Sequence, residues 1–256
     1  MRTLRIALQI LFLFFPILVQ SENLVGDLDR DCGDRFEVGE KCKFKITELR
    51  PTQGAVGFEE VRRKTAELAK MSSSEAEEYR KKKRIPVVVG PGQKLYMIDH
   101  HHSALALLNH GFDSGYIEVI GDLSDSKSNE EFWQKMIAKN WCYPFDGTGQ
   151  AIAPEKIPRS LRGLSNDPYR ALSGIVRDLG GFEKSGVPFE EFIWARRFQK
   201  LTLLPISQTQ SNQPQKLSEN DYNQAAYQAV ALINWKFWAD STVCEQQLRR
   251  LIEQLP

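Results

Sequence analysis

The chain has 256 residues, 34 Lys+Arg against 33 Asp+Glu, and 41% hydrophobic residues. That is enough apolar material for one sizeable core, and no long linker divides it. A net charge of +1 excludes the basic footprint of a protein that grips many phosphates along duplex DNA.

The first twenty-one residues have the layout of a secretory signal peptide. Arg2 and Arg5 open it, Ile6–Val19 is an apolar run of fourteen, and Val19 and Ser21 occupy the −3 and −1 positions of a small-residue cleavage site. An apolar run of fourteen that contains Gln9 and Pro16 falls short of the ~20 residues that span a bilayer, so a membrane anchor is the weaker reading. Cleavage would remove two Arg and no acid, leaving 32 basic against 33 acidic residues. A secreted mature chain starting near Glu22, with no membrane span, is expected.

Residues 22–45 form a Gly- and Asp-rich lead-in that carries Cys32 and Cys42. With Cys142 and Cys244 they make four cysteines. In an oxidising route two disulfides are expected, and three pairings are possible. Cys32–Cys42 would close a short loop and leave Cys142–Cys244 to pin the C-terminal tail. No Cys-x-x-Cys pair exists, and no cysteine lies near the histidines in sequence, so no metal site is expected.

The alternation in Cys42–Leu49 predicts a strand. The Pro and Gly of RPTQGAVG break it, and Phe58–Met71 carries a helical apolar stripe. A second short helix follows over SSSEAEEYRKKKR, with Ser73 or Ser74 as its cap. Ile85–Val89 (IPVVV) is uniformly apolar and suits a strand buried on both faces. GPGQK is a turn, and Leu95–Ile98 pairs back as a hairpin.

Ser103–Gly111 then reads as a helix closed by a glycine, and Gly115–Leu123 as a strand. A helix capped by Ser128 with Glu131 three residues on is expected next. The later chain is helical: DPYRALSGIVRDLGG with Pro168 at its first position, PFEEFIWARRFQKLTLL, SENDYNQAAYQAVALINWKFWA, and STVCEQQLRRLIEQL. The fold class is α+β, a small mixed sheet with helices packed around it. Residues 46–200 form its body and residues 201–256 a helical C-terminal extension.

All four histidines lie between His100 and His110, three of them consecutive in LYMIDHHHSALALLNHGF. The expected order is a strand, a polar hinge Asp99–His102, and a helix from about Ser103. A helix N-terminus offers unpaired N–H groups and partial positive charge, which favours anions. Imidazoles there could bind phosphate or transfer protons near neutral pH. Ordinary capping or bare polar surface is the competing reading.

LRPTQGAVGFEEVRRK followed by IPVVVGPGQKLYMIDHHHSALALLNHG resembles the ParB/sulfiredoxin superfamily, in its ParB-like nuclease branch. FWQKM (132–136), DPYRALSGIVRDLGGFEK (167–184) and PFEEFIWARRF (188–198) fit the same branch, so the resemblance covers about Ile46 to Phe198. It implies a sheet of ParB/sulfiredoxin type whose strand–turn–helix element binds a nucleotide phosphate. With Ala106 as the helical Ala of that motif, Asp99 falls on the leading acid and His100 where Gly is common. His101 and His102 fall on the polar pair, and Ser103 where Arg is usual.

The resemblance also places Arg50 and Gln53 across the cleft from this loop. Arg50, Lys64 and His102 are candidates to replace the missing arginine. Glu60, or Glu59, would serve as general base or Mg²⁺ ligand, so the implied cofactor is a nucleotide with Mg²⁺. No cysteine stands in the loop, so sulfinic-acid reductase chemistry does not carry over, and no helix-turn-helix DNA reader follows.

Two functions therefore compete. One is a secreted phosphoesterase or nuclease-like hydrolase with Asp99, His101, His102 and Glu60 as catalytic groups. Arg50, Gln53, Lys64, His100 and Ser103 would then hold the ligand, a phosphate-containing small molecule or nucleic acid. The other is a non-catalytic phosphate- or nucleotide-binding module, or an interaction protein that works through its C-terminal helices.

Overall fold

The computed structural model describes residues 30–206 and 216–238. The expected signal segment, Cys244 and the last expected helix lie outside the described residues.

The sheet begins at β1 (Lys41–Lys45), earlier than the expected body. The chain then leaves the strand for a 3-10 turn at Ile46–Glu48, where a strand through Leu49 was expected. Ile46 and Leu49 are both buried, at 1% and 0% exposure. A spacing of three puts both in the core from a turn, whereas alternation in a strand would place them on opposite faces.

Two short strands follow, β2 (Arg50–Pro51) and β3 (Ala55–Val56), and then α1 (Phe58–Leu68) and α2 (Ser73–Lys82). The cap of α2 is Ser72, one residue before the expected pair. Its hydroxyl accepts the Glu75 N–H while the Glu75 carboxylate accepts the Ser72 N–H. That reciprocal pairing requires the acid three residues after the cap, which selects Ser72.

Next come β4 (Ile85–Gly90), β5 (Lys94–Met97), α3 (His101–His110) and β6 (Ser114–Asp122). They are followed by α4 (Asn129–Ala138), β7 (Ser165–Asn166), α5 (Pro168–Asp178), α6 (Glu190–Lys200) and α7 (Glu219–Trp238). Five strands make one mixed sheet in the order β1-β6-β4-β5-β2, and β3 pairs in parallel with β7. β4 lies at its centre, antiparallel to β5 and parallel to β6.

The two faces of β4 explain its apolar run. Val87 and Val89 pack with Leu105, Leu107 and Leu108 of α3 and with Val61 and Leu68 of α1. Val88 faces the other way, into a cluster with Tyr96, Phe132 and Met136. A third cluster joins Leu172, Ile175 and Val176 of α5 to Ala195 and Phe198 of α6 and to Tyr222, Ala225 and Ala229 of α7. The start of the expected extension therefore shares a core with α5.

Cys32 and Cys42 form a disulfide that ties the lead-in to β1. Cys142 is a free buried thiol that burial pushes up to about 12, and the partner expected for it, Cys244, lies outside the described residues. No helix among the described residues is long and apolar enough to cross a membrane.

Candidate functional site

The site is built where β5 gives way to α3. Asp99 turns the chain, its carboxylate accepting the His100 N–H at 2.6 Å. His100 then takes left-handed dihedrals, φ 64° and ψ 21°, and caps α3. That conformation is costly for a residue with a Cβ and free for glycine. It accounts for the glycine that the resemblance expects at this position.

The helix starts at His101, two residues earlier than expected, so His101 and His102 are helix residues and only His100 remains in the turn. Successive side chains on a helix point about 100° apart, and the three rings separate accordingly. His100 is about a third exposed, while His101 and His102 are buried at 2% and 6% exposure. His101 Nε2 accepts the Thr52 N–H at 3.1 Å, and His102 Nε2 accepts the Gly57 N–H at 2.9 Å.

Each buried ring therefore keeps its Nε2 lone pair free to accept, with its proton on Nδ1. Burial is the main cause that holds both well below the ordinary imidazole range, at about 3. Arg170 and Lys64 add repulsion against a proton on His102. Both rings are bonded to backbone N–H groups at the positions where proton transfer near neutral pH was expected. They staple the 52–57 loop to the first turn of α3.

The stapled loop also explains Gly57. It precedes α1 and packs against α5 so closely that a Cβ would lie 2.6 Å from the Ala171 nitrogen. With that contact and the His102 bond in place, Glu60 is fixed in the first turn of α1. Its Oε2 accepts from Arg170 Nη1 at 2.8 Å, and Oε1 lies 3.7 Å from Lys64 Nζ.

Burial pushes the Glu60 carboxyl up. The surrounding positive charges outweigh that and hold it at about 2: any charge on His102, then Arg170, Lys64 and Arg177. Glu60 also lies 3.5 Å from His102 Nε2. A ring that accepts from Gly57 is neutral, so this contact is not an ion pair and Arg170 is the effective partner. An anion this well stabilised is too weak a base to take a proton near pH 7. Its oxygens face a guanidinium and an ammonium, an arrangement that does not fit Mg²⁺, which needs them as ligands. No group of three or more metal-ligating side chains occurs among the described residues.

These elements enclose a cleft of about 420 Å³. Gln53, Glu60, Lys64, Asp99, His100, His101, His102 and Ser103 all line it. Ser103 and Gln53 are buried there, and Gln53 donates its amide to the Ala55 carbonyl at 2.9 Å.

Arg50 does not lie across the cleft from the histidine loop, where it was expected. It pairs with Tyr96 across β2 and β5, and its guanidinium lies over the Tyr96 ring at 5.8 Å. Tyr96 packs with Phe132 on the opposite face of the sheet from α3. Arg50 therefore points away from His101 and does not line the cleft.

The far wall was not selected from sequence as a site. It comes from α5 and from the segment before α6: Arg170, Arg177, Lys184, and Val187 to Phe192. Arg177 pairs with Glu191 and Asp178, and Lys184 Nζ lies 3.4 Å from Glu191. Phe192 stacks on Tyr143 with ring centroids 4.2 Å apart. The available signal was Arg170 and Arg177, seven residues apart on one face of α5, with Arg170 inside its apolar stripe. Two arginines on a buried helix need anions nearby.

A mixed sheet that brings a strand, a left-handed turn and a helix start to the floor of a charged cleft defines a protein of ParB/sulfiredoxin type. Residues 42–200 match the family described as "Putative ParB-like nuclease", and the chain belongs to that family. It is also similar to the crystal structure of protein Atu1540 from Agrobacterium tumefaciens. The identity is 31% and the TM-score 0.63, over 81% of this chain and 95% of that one. No curated protein matches the chain.

Proposed function

We propose that the cleft binds a phosphate ester, with the phosphate at the start of α3. The observation that carries this reading is the helix start itself. It has no side-chain cap and opens into a cleft lined by Lys64, Lys83, Arg170, Arg177 and Lys184. Helix N–H groups and side-chain cations together favour a phosphate.

The charge balance narrows the ligand. Those five cations face Glu60, Asp99, Glu190 and Glu191, a net of one positive charge among the lysines, arginines and acids of the described lining. A singly charged diester matches that balance better than a nucleoside triphosphate does. Family membership points the same way, toward a phosphodiester.

Hydrolysis is a second reading, favoured by one observation. His100 reaches the cleft, and its Nε2 lies 4.0 Å from Asp99 Oδ2. It is the histidine of the trio that no backbone donor locks. We further propose that the protein is secreted, on the strength of the basic–apolar start and the Cys32–Cys42 disulfide.

The test is calorimetry of the purified protein with dimethyl phosphate and with ATP, beside release of nitrophenol from bis(p-nitrophenyl) phosphate. Saturable diester binding, no weaker than ATP binding, is expected. An absence of binding to either ligand overturns the reading. Nitrophenol release that disappears in His100→Ala would establish hydrolysis, and its absence in the wild type leaves a binding module.

A further inference from the structure

We infer that Arg170 is the side chain that grips the ligand's oxyanion, with Glu60 and Gly174 as the residues that position it. The inference rests on the phosphate-ester reading of the cleft and names the group that carries it out.

Arg170 is 7% exposed and lines the cleft beside the start of α3. Its Nη1 donates to Glu60, while its Nε is buried with no hydrogen-bond partner. Buried donors are nearly always paired, so an open one in a cleft wall marks where an acceptor belongs. The guanidinium plane is held in place by the Phe192 ring, 5.3 Å from its centroid. With Nη1 committed to Glu60, the opposite edge of the fork can meet two oxygens of one phosphate side by side.

Arg177, Lys184 and Lys64 do not match this. Arg177 donates from Nε and Nη2 to Asp178 and from Nη1 to Glu191. Lys184 is largely exposed, and Lys64 sits by Glu60. Arg80 and Arg196 also have an unpartnered buried Nε, but neither lines the cleft. Arg80 lies over the Phe112 ring, and Arg196 is tied to Asp167 and Gln199. An open Nε alone therefore decides nothing. Its coincidence with the cleft and the helix start does.

Gly174, one turn after Arg170, is part of the same device. A Cβ there would lie 2.9 Å from Glu60 Oε2 and 3.4 Å from Arg170 Nη1. Only glycine leaves the ion pair in its present position.

The experiment titrates dimethyl phosphate into wild type, Arg170→Lys and Glu60→Gln, with folding of each confirmed by circular dichroism. Lysine keeps the charge but loses the fork, so affinity should fall at least tenfold in Arg170→Lys. Glutamine still accepts from Nη1 but removes a competing negative charge, so Glu60→Gln should bind severalfold more tightly. A purely structural ion pair predicts unchanged or weaker binding in Glu60→Gln, which keeps the inference testable if Arg170→Lys does not fold. Wild-type affinity in Arg170→Lys overturns the inference and leaves the cleft reading standing. No binding by the wild type overturns both.

Discussion

The two walls of the cleft are held by opposite physics. The α3 wall is fixed by neutral bonds, two buried imidazoles accepting backbone N–H groups from Thr52 and Gly57. The α5 wall is fixed by charge, with Arg170 on Glu60 and Arg177 on Glu191. A neutral acceptor is strong while the ring stays unprotonated and fails once it takes a proton. An ion pair tolerates a wide pH range but leaves a buried charge behind if one partner is removed. Histidines clustered at a helix start thus need not be proton carriers. Here the two buried ones accept backbone N–H groups, and a buried guanidinium N–H without a partner, Arg170 Nε, lies on the opposite wall.

That contrast can be broken from either side, and acid is expected to act most strongly. Burial holds His101 and His102 at about 3 in the folded chain, against about 6.5 unfolded. Above pH 6.5 neither state is protonated and their contribution is fully present. As pH falls from 6.5 toward 3, the unfolded state binds protons first and stability is lost, by about 1.4 kcal/mol per pH unit for each ring. Glu60, at about 2 and also depressed, acts in the same direction below its ordinary 4.5. Urea midpoints measured from pH 8 to pH 4.5 should fall steeply below 6.5. A His101→Gln, His102→Gln double variant should flatten the curve in that window.

Removing one partner on the charged wall comes next. Arg170→Met leaves Glu60 buried without its nearest cation, at a cost of about 3–5 kcal/mol in urea unfolding. On the neutral wall His102→Leu strands the Gly57 N–H and should cost about 1–3 kcal/mol, with His102→Gln costing less because its amide oxygen still accepts. Smallest is a gain. His100→Gly relieves left-handed dihedrals and should stabilise the fold by about 0.5–1 kcal/mol. A loss of stability there would show that the His100 side chain contributes more than its backbone costs.

Much of the frame was legible in the sequence. The apolar run of IPVVV, the glycine stop at Gly111 and Pro168 at the head of its helix follow from local rules, and each lies in the expected element. The family was legible from motifs spread over 150 residues. What could not be read was direction. A helix start at His101 instead of Ser103 turns two rings into the core, and this depends on acceptor positions opposite donors 45 and 49 residues away. Arg50 sits in a two-residue strand, too short for any periodicity, and its face is set by its register with Tyr96. Arg170 of α5 lines the same cleft as Ser103, a separation of 67 residues (103 to 170) that only the folded chain closes.

The central claim is that His101 and His102 are neutral acceptors and not proton shuttles. Ring-nitrogen chemical shifts of ¹⁵N-histidine-labelled protein, followed from pH 8 to pH 5, test it directly. Two of the four histidines should remain neutral with the proton on Nδ1 across the whole range, and should disappear from that set when His101 and His102 are replaced in turn. If both rings titrate between pH 6 and 7 in the folded protein, the account is contradicted and the trio returns as the candidate proton-transfer centre.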